Sequence, residues 1–171
     1  MEEVLIVDGY NIIGAWPDLQ KWMDSGMEEA RDRLIHMLAE YQSYSGIKVY
    51  LVFDAYKIPG LGKKYNQHRL TILFTKEKET ADELIERLVT EHVSRRKRIY
   101  VATSDMTEQH VIFGKGALRL PAGELLVKIR QNQKEIGRSL KEDFVPGRNT
   151  FDRSLSDEQR LLLEQWRRGR D

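Results

Sequence analysis

Four short stretches of this chain, VLIV (4–7), VYLVF (49–53), LTILF (70–74) and IYVA (99–102), are nearly unbroken apolar runs. A strand with one wet face alternates apolar and polar residues. Runs without that alternation fit strands buried on both faces, and such strands need helices on both sides. A weaker run, ALRL (117–120), has the same character.

Helical spacing fills the intervals. Ser25-x-x-Glu28 is a capping-box pattern ahead of Met27, Ala30, Leu34, Met37, Leu38 and Tyr41, which share one helix face, with Gly46 as the stop. Thr80-x-x-Glu83 is a second such box, followed by a stripe of Ala81, Leu84, Ile85, Leu88, Val89 and Val93. A third helix is expected after Asp105 and a fourth over 121–136. A last short one is expected from Ser156 through Trp166, ending near Gly169. Strands alternating with helices specify an α/β fold with a mainly parallel central sheet flanked by helices.

The 171 residues suit one compact domain, placed at 1–140. Residues 141–171 read as a polar linker carrying Pro146-Gly147, followed by a short C-terminal helical appendage. The chain has no cysteine, which excludes disulfides, thiolate zinc sites and cysteine nucleophiles. The net charge of +1 gives no global attraction for nucleic acid, so any anion site must be a local patch. The start, Met1-Glu2-Glu3, is acidic where a signal peptide is basic, and no apolar run approaches the roughly 20 residues that span a bilayer. The expectation is a soluble cytoplasmic protein with no membrane association.

Ligands of open α/β sheets bind beyond the carboxyl ends of the strands. Asp8 follows the first run, Asp54 the second and Asp105 the fourth, while Asp82 falls in the first turn of the Thr80 helix. Carboxylates that meet repel one another unless a cation shares the site. Oxygen ligands without Cys or clustered His favour Mg²⁺ or Mn²⁺, as one or two ions. Such a site suits phosphodiester hydrolysis. Asn11, three residues past Asp8, offers an uncharged amide for water or a phosphate oxygen, and Ser104 or Thr103 a hydroxyl.

Each acid also has an ordinary reading. Asp82 sits where any acid gains from the helix dipole, Asp105 can cap a helix, and Asp54 and Asp8-Gly9 can be plain turns. From the pattern alone, a shared site and a set of turns both stand. The four histidines, His36, His68, His92 and His110, have no ligand spacing, and His92 reads as a packed residue.

The stretches VDGYNII, TADELIE and YVATSD, in that order, resemble the NYN domain, a branch of the PIN-like nucleases, and within it the YacP-like group of bacterial proteins. The resemblance covers about residues 4–136. It implies a PIN-like parallel α/β sheet with acids at the carboxyl ends of the strands. It also implies metal-dependent endonucleolytic cleavage of RNA. By the same resemblance Asp8, Asp82 and Asp105 are the metal-binding acids and Asn11 a supporting catalytic group. Asp54 matches a second-strand acid of some members, and Glu79 stands beside Asp82 either as an assisting or as a surface residue. The implied substrate is messenger RNA, and the implied partner is the ribosome.

A nuclease needs a basic track for the phosphate backbone. Residues 56–69 carry Lys57, Lys63, Lys64, His68 and Arg69 without an acid, and Tyr56 and Tyr65 offer stacking faces. Pro59, Gly60 and Gly62 suit a loop. Arg130, Lys134, Arg138 and Lys141 align on one helix face if the helix survives Gly137. Arg95-Arg96-Lys97-Arg98 precedes the fourth run, at the opposite end of the sheet.

The rival reading is a catalytically inactive RNA- or ribosome-binding domain of the same fold. A receiver-like domain needs paired acids after its first strand, where this chain offers only Asp8, and a haloacid-type phosphatase needs Asp-x-Asp. No glycine-rich phosphate loop points to a nucleotide cofactor.

Overall fold

The computed structural model describes residues 1–55, 70–104 and 114–141, together with the backbone of 64–67 and 142–143. In chain order the elements are β1 (Glu2–Asp8), α1 (Gly9–Ala15), α2 (Pro17–Met23), α3 (Met27–Ser45), β2 (Lys48–Phe53), β3 (Lys64–Gln67), β4 (Leu70–Phe74), α4 (Ala81–His92), β5 (Lys97–Ala102), β6 (Leu118–Leu120) and α5 (Ala122–Asp143). The helix expected after Asp105 and the final helix from Ser156 lie outside the described residues. The chain divides into two compact units, Met1–Gln133 and Lys134–Asp171.

The first unit holds a six-stranded sheet of order β3-β4-β2-β1-β5-β6. Every pairing is parallel except that of β3 with β4, so the expected mainly parallel α/β fold is the one formed. Side chains of β1 go alternately to the two faces. Leu5 and Val7 enter the core shared by α1, α2, α3 and α5, whereas Val4 and Ile6 enter the core covered by α4. That two-sided burial is why the first apolar run shows no alternation.

The order of strands reverses at β1. The chain adds β2 and then β4 on one side of β1, and returns to place β5 and β6 on the other. Beyond the carboxyl ends of β1 and β5 lies the crevice where such sheets bind ligands.

Several local signals behave differently from expectation. Gly26, not Ser25, is the N-cap of α3, with φ 130° and no side-chain cap bond. That backbone angle excludes a serine far more strongly than a capping bond would favour one. Gly46 does end α3, in the left-handed conformation. Thr80 is the N-cap of α4, with the Glu83 amide donating to Thr80 Oγ1 at 3.2 Å, which is the threonine half of the expected box. α5 is longer than expected and runs on through Gly137. α1 and α2 occupy a segment with no periodic signal, and β3 gives strand backbone to part of a segment expected as loop.

The basic run, which enters β5 at Lys97 and Arg98, has a structural partner. Glu2 and Glu3 register opposite Lys97 and Arg98, with ion pairs of 3.9 Å each. Exposed pairs of that length are worth about 0–1 kcal/mol. Trp16 is buried, and its indole nitrogen donates to the Ala122 carbonyl at 2.8 Å, tying the end of α1 to the start of α5. No helix among the described residues is long and apolar enough to cross a membrane.

Candidate functional site

β1 ends on Asp8 and the chain turns at once into α1, with Asp8 as its extended N-cap. This abrupt change needs Gly9. A methyl group there would lie 2.6 Å from Cδ1 of the Phe53 ring and 3.0 Å from the Val52 carbonyl oxygen. The glycine therefore serves close approach of the β1–α1 turn to β2, more than a change of chain direction.

Three strand or helix ends share one cavity. Asp8, Asp54 and Asp82, with Tyr10, Asn11, Thr80 and Ala81, line a space of about 360 Å³. β1 contributes Asp8, the end of β2 contributes Asp54, and the first turn of α4 contributes Asp82. Thr80 fixes that turn through its cap bond to Glu83.

Asn11 bridges the crevice where the strand order reverses. Its Oδ1 accepts from the Ser104 amide at 2.7 Å and from the Ser104 hydroxyl at 2.8 Å, across 93 positions of sequence. A backbone amide only donates, so the atom facing it is the amide oxygen, and the Nδ2 edge is what Asn11 can offer a ligand. Asp105 follows Ser104 directly in sequence and lies outside the described residues.

Asp54 is held from behind. The buried Thr75 hydroxyl, at the end of β4, donates to Asp54 Oδ1 at 3.3 Å and accepts from the Ala55 amide at 2.8 Å. The Thr75 amide in turn donates to the Phe53 carbonyl at 3.1 Å. Nothing in the sequence singles out Thr75 beyond a hydroxyl at the end of an apolar run.

Tyr10, which does line the cavity, likewise has no sequence signal of its own. Its ring packs on Phe53 with centroids 5.1 Å apart, and Phe53 stacks on Phe74 at 5.7 Å. Arg31, from the second turn of α3, donates to the Tyr10 hydroxyl at 3.0 Å.

Glu79 does not line the cavity. Its carboxylate pairs with Arg87 at 2.7 Å and accepts from the Lys76 amide at 3.2 Å, so it braces the turn into α4. Of the expected RNA track, Lys57, Lys63, His68 and Arg69 lie outside the described residues, and Lys64 and Tyr65 are placed only as backbone of β3. On α5, Arg130 pairs with Asp18 at 2.9 Å.

Among the described residues no three His, Cys, Asp or Glu side chains gather closely enough to form a metal-holding group. The donor set nonetheless fits a hard cation in kind. It offers carboxylate and amide oxygens, and Mg²⁺ characteristically takes one or two protein carboxylates while keeping water and substrate phosphate as its other ligands.

Comparison with known proteins bears on the family and the fold. The family model described as YacP-like NYN domain matches residues 5–168. A protein of Bacillus subtilis (strain 168), described as uncharacterized protein YacP, is 47% identical over 167 residues, covering 98% of each chain. The crystal structure of Rae1 (YacP) from Bacillus subtilis superposes with a TM-score of 0.75 at 48% identity, over 97% of this chain and 95% of that one. The crystal structure of a tryptophan-to-leucine mutant of the same Bacillus subtilis protein gives a TM-score of 0.76 at 41% identity, over 95% of this chain and 99% of that one.

Proposed function

The chain belongs to the YacP-like NYN domain family, a nuclease-like, RNA-related family, and on that premise we propose that it is a metal-dependent endoribonuclease cutting single-stranded messenger RNA. The observation that carries the reading is the convergence of Asp8, Asp54 and Asp82 on one cavity at the carboxyl end of the sheet, beside the Asn11–Ser104 bridge.

Asp8 and Asp82 would hold Mg²⁺ or Mn²⁺, as one or two ions, with Asp105 from the neighbouring strand end and Asp54 as a further oxygen donor. The ion, when bound, activates water and neutralises charge on the scissile phosphate. The protein's part is orientation. Asn11, pinned at its oxygen, presents its amide donors to a phosphate oxygen or to water without adding negative charge. Thr75 donates a hydrogen bond to the Asp54 carboxylate, and Asp82 stands in the first turn of α4, where the helix dipole attracts negative charge. The residues of 56–69, Lys57, Lys63, Lys64, Tyr65, His68 and Arg69, would carry the RNA backbone toward the cavity.

Cleavage of a labelled messenger RNA by wild type and Asp82→Asn, with Mg²⁺, Mn²⁺ or EDTA, tests the reading. Metal-dependent cutting is expected from wild type, and a fall of at least about 100-fold in the variant. Binding without cutting under every metal and ribosome condition favours the inactive binding domain. The family resemblance further supports cleavage coupled to translation. Equal cutting of one messenger RNA, free and while being translated, would sink that part alone.

A further inference from the structure

The cavity has an electrostatic difficulty. Its lining brings three carboxylates to a place where a polyanion must enter. A metal ion offsets charge at the reacting phosphate, but the flanking phosphates of an RNA strand still meet an acidic rim.

The described cations near the sheet are mostly engaged. Arg87 pairs with Glu79, Arg130 with Asp18, and Arg33 lies over the Trp22 ring at 4.3 Å. Arg31 differs. It is half-buried, it hydrogen-bonds the Tyr10 hydroxyl, and it forms no ion pair with a carboxylate among the described residues. Tyr10 itself lines the cavity and is braced by Phe53. A guanidinium carries five N–H donors in a rigid fork, and one bond to a phenol uses one of them.

We propose that Arg31, oriented by Tyr10, is a binding residue for a backbone phosphate of single-stranded RNA, flanking the phosphate in the acid-lined cavity. The proposal rests on the nuclease reading for its substrate class, and it adds a site that needs no metal. Tyr10 is the positioning residue. Its hydroxyl accepts from one edge of the guanidinium, and its ring, part of a residue that lines the cavity, is held against Phe53. The other edge of the fork is shaped for two phosphate oxygens, a match that a lysine ammonium does not reproduce.

The test is equilibrium binding of a fluorescent single-stranded oligouridylate in EDTA, where cutting does not interfere, over a series of salt concentrations. For Arg31→Gln, affinity should fall about tenfold, the loss expected for one charge-assisted hydrogen-bond pair. The slope of log affinity against log salt should lose about 0.7, one phosphate contact on a single strand. Arg31→Lys should keep the slope and lose part of the affinity, and Tyr10→Phe should do the same. Thermal unfolding of each variant separates loss of contact from loss of fold, and the lysine variant supplies the comparison if Arg31→Gln unfolds. Unchanged affinity and slope in folded Arg31→Gln overturns the proposal while leaving the nuclease reading intact. If the wild type neither binds nor cuts RNA, both fall. If it binds with the predicted Arg31 dependence and does not cut, only the nuclease reading falls.

Discussion

Asn11 and Ser104 are joined by two hydrogen bonds to one side-chain oxygen, 2.7 Å from the Ser104 amide and 2.8 Å from its hydroxyl. The bridge ties the turn after β1 to the end of β5, across the place where the strand order reverses. It fixes which face of the Asn11 amide looks into the cavity.

Asn11 should therefore separate structure from chemistry. In Asn11→Asp a carboxylate oxygen can accept both Ser104 bonds, so the melting temperature should stay close to wild type. The amide donors are gone and a negative charge is added, so cleavage should fall about tenfold or more. Asn11→Ala loses the bridge as well. Ser104 is exposed and can be rehydrated, so the stability cost should be only about 1 kcal/mol. Chemical denaturation and cleavage rates measured on both variants check this. Full activity in Asn11→Asp would remove the amide from the mechanism.

Two glycines of one short helix should respond in opposite senses. At Gly9 a methyl group meets the Phe53 ring and the Val52 carbonyl, whereas at Gly14 nothing lies within 4 Å. Alanine gains about 1 kcal/mol over glycine inside a helix, and overpacking costs about 1–3 kcal/mol. Gly14→Ala should be neutral or stabilising. Gly9→Ala should be destabilised and should lose activity more than stability, because the displaced turn carries Asp8. Paired urea melts and cleavage assays distinguish the two, and an active, stable Gly9→Ala would contradict the close packing described.

Thr80 gives a third expectation. Its hydroxyl accepts from the Glu83 amide, and losing such a cap costs about 1 kcal/mol. Asp82 stands in the same first turn. Thr80→Ala should lower stability by that amount in urea melts, while Thr80→Ser should not. Cleavage by Thr80→Ala should need more Mn²⁺ to reach half its maximal rate. An unaltered Mn²⁺ requirement would uncouple the cap from the placement of Asp82.

The parts of this molecule that were legible in sequence are those fixed by burial or by adjacent residues. β1, β2, β4 and β5 are buried on both faces, so their apolar runs declare them. The Thr80 cap is local and reads directly. α1 and α2 are seven residues each, two turns, too few to establish a period. β3, with the sequence KYNQ, takes its conformation from antiparallel pairing with β4. Asp8, Asp54 and Asp82 could be found because each ends a strand or starts a helix. Tyr10 and Thr75 could not, since their roles depend on partners 21 residues away, at Arg31 and at Asp54. Glu79, adjacent to the site in sequence, is turned by Arg87 to another task.

Thr75 provides the sharpest separation between holding the fold and holding the site. Its hydroxyl serves both at once, accepting from the Ala55 amide at 2.8 Å and donating to Asp54 at 3.3 Å. Thr75→Val keeps the shape and removes both bonds. Leaving the Ala55 amide without its acceptor should cost about 1–3 kcal/mol. Releasing the Asp54 carboxylate should raise the Mn²⁺ concentration for half-maximal cleavage about 10–100-fold, the usual effect of removing a group that orients a ligand. Thr75→Ser retains the hydroxyl and loses a buried methyl group, so it should lose stability while keeping the wild-type Mn²⁺ requirement. Metal titrations of cleavage beside urea melts on both variants decide the point. If Thr75→Val is less stable but its Mn²⁺ requirement does not move, the bond to Asp54 supports the chain turn alone, and Asp54 takes no part in holding the ion.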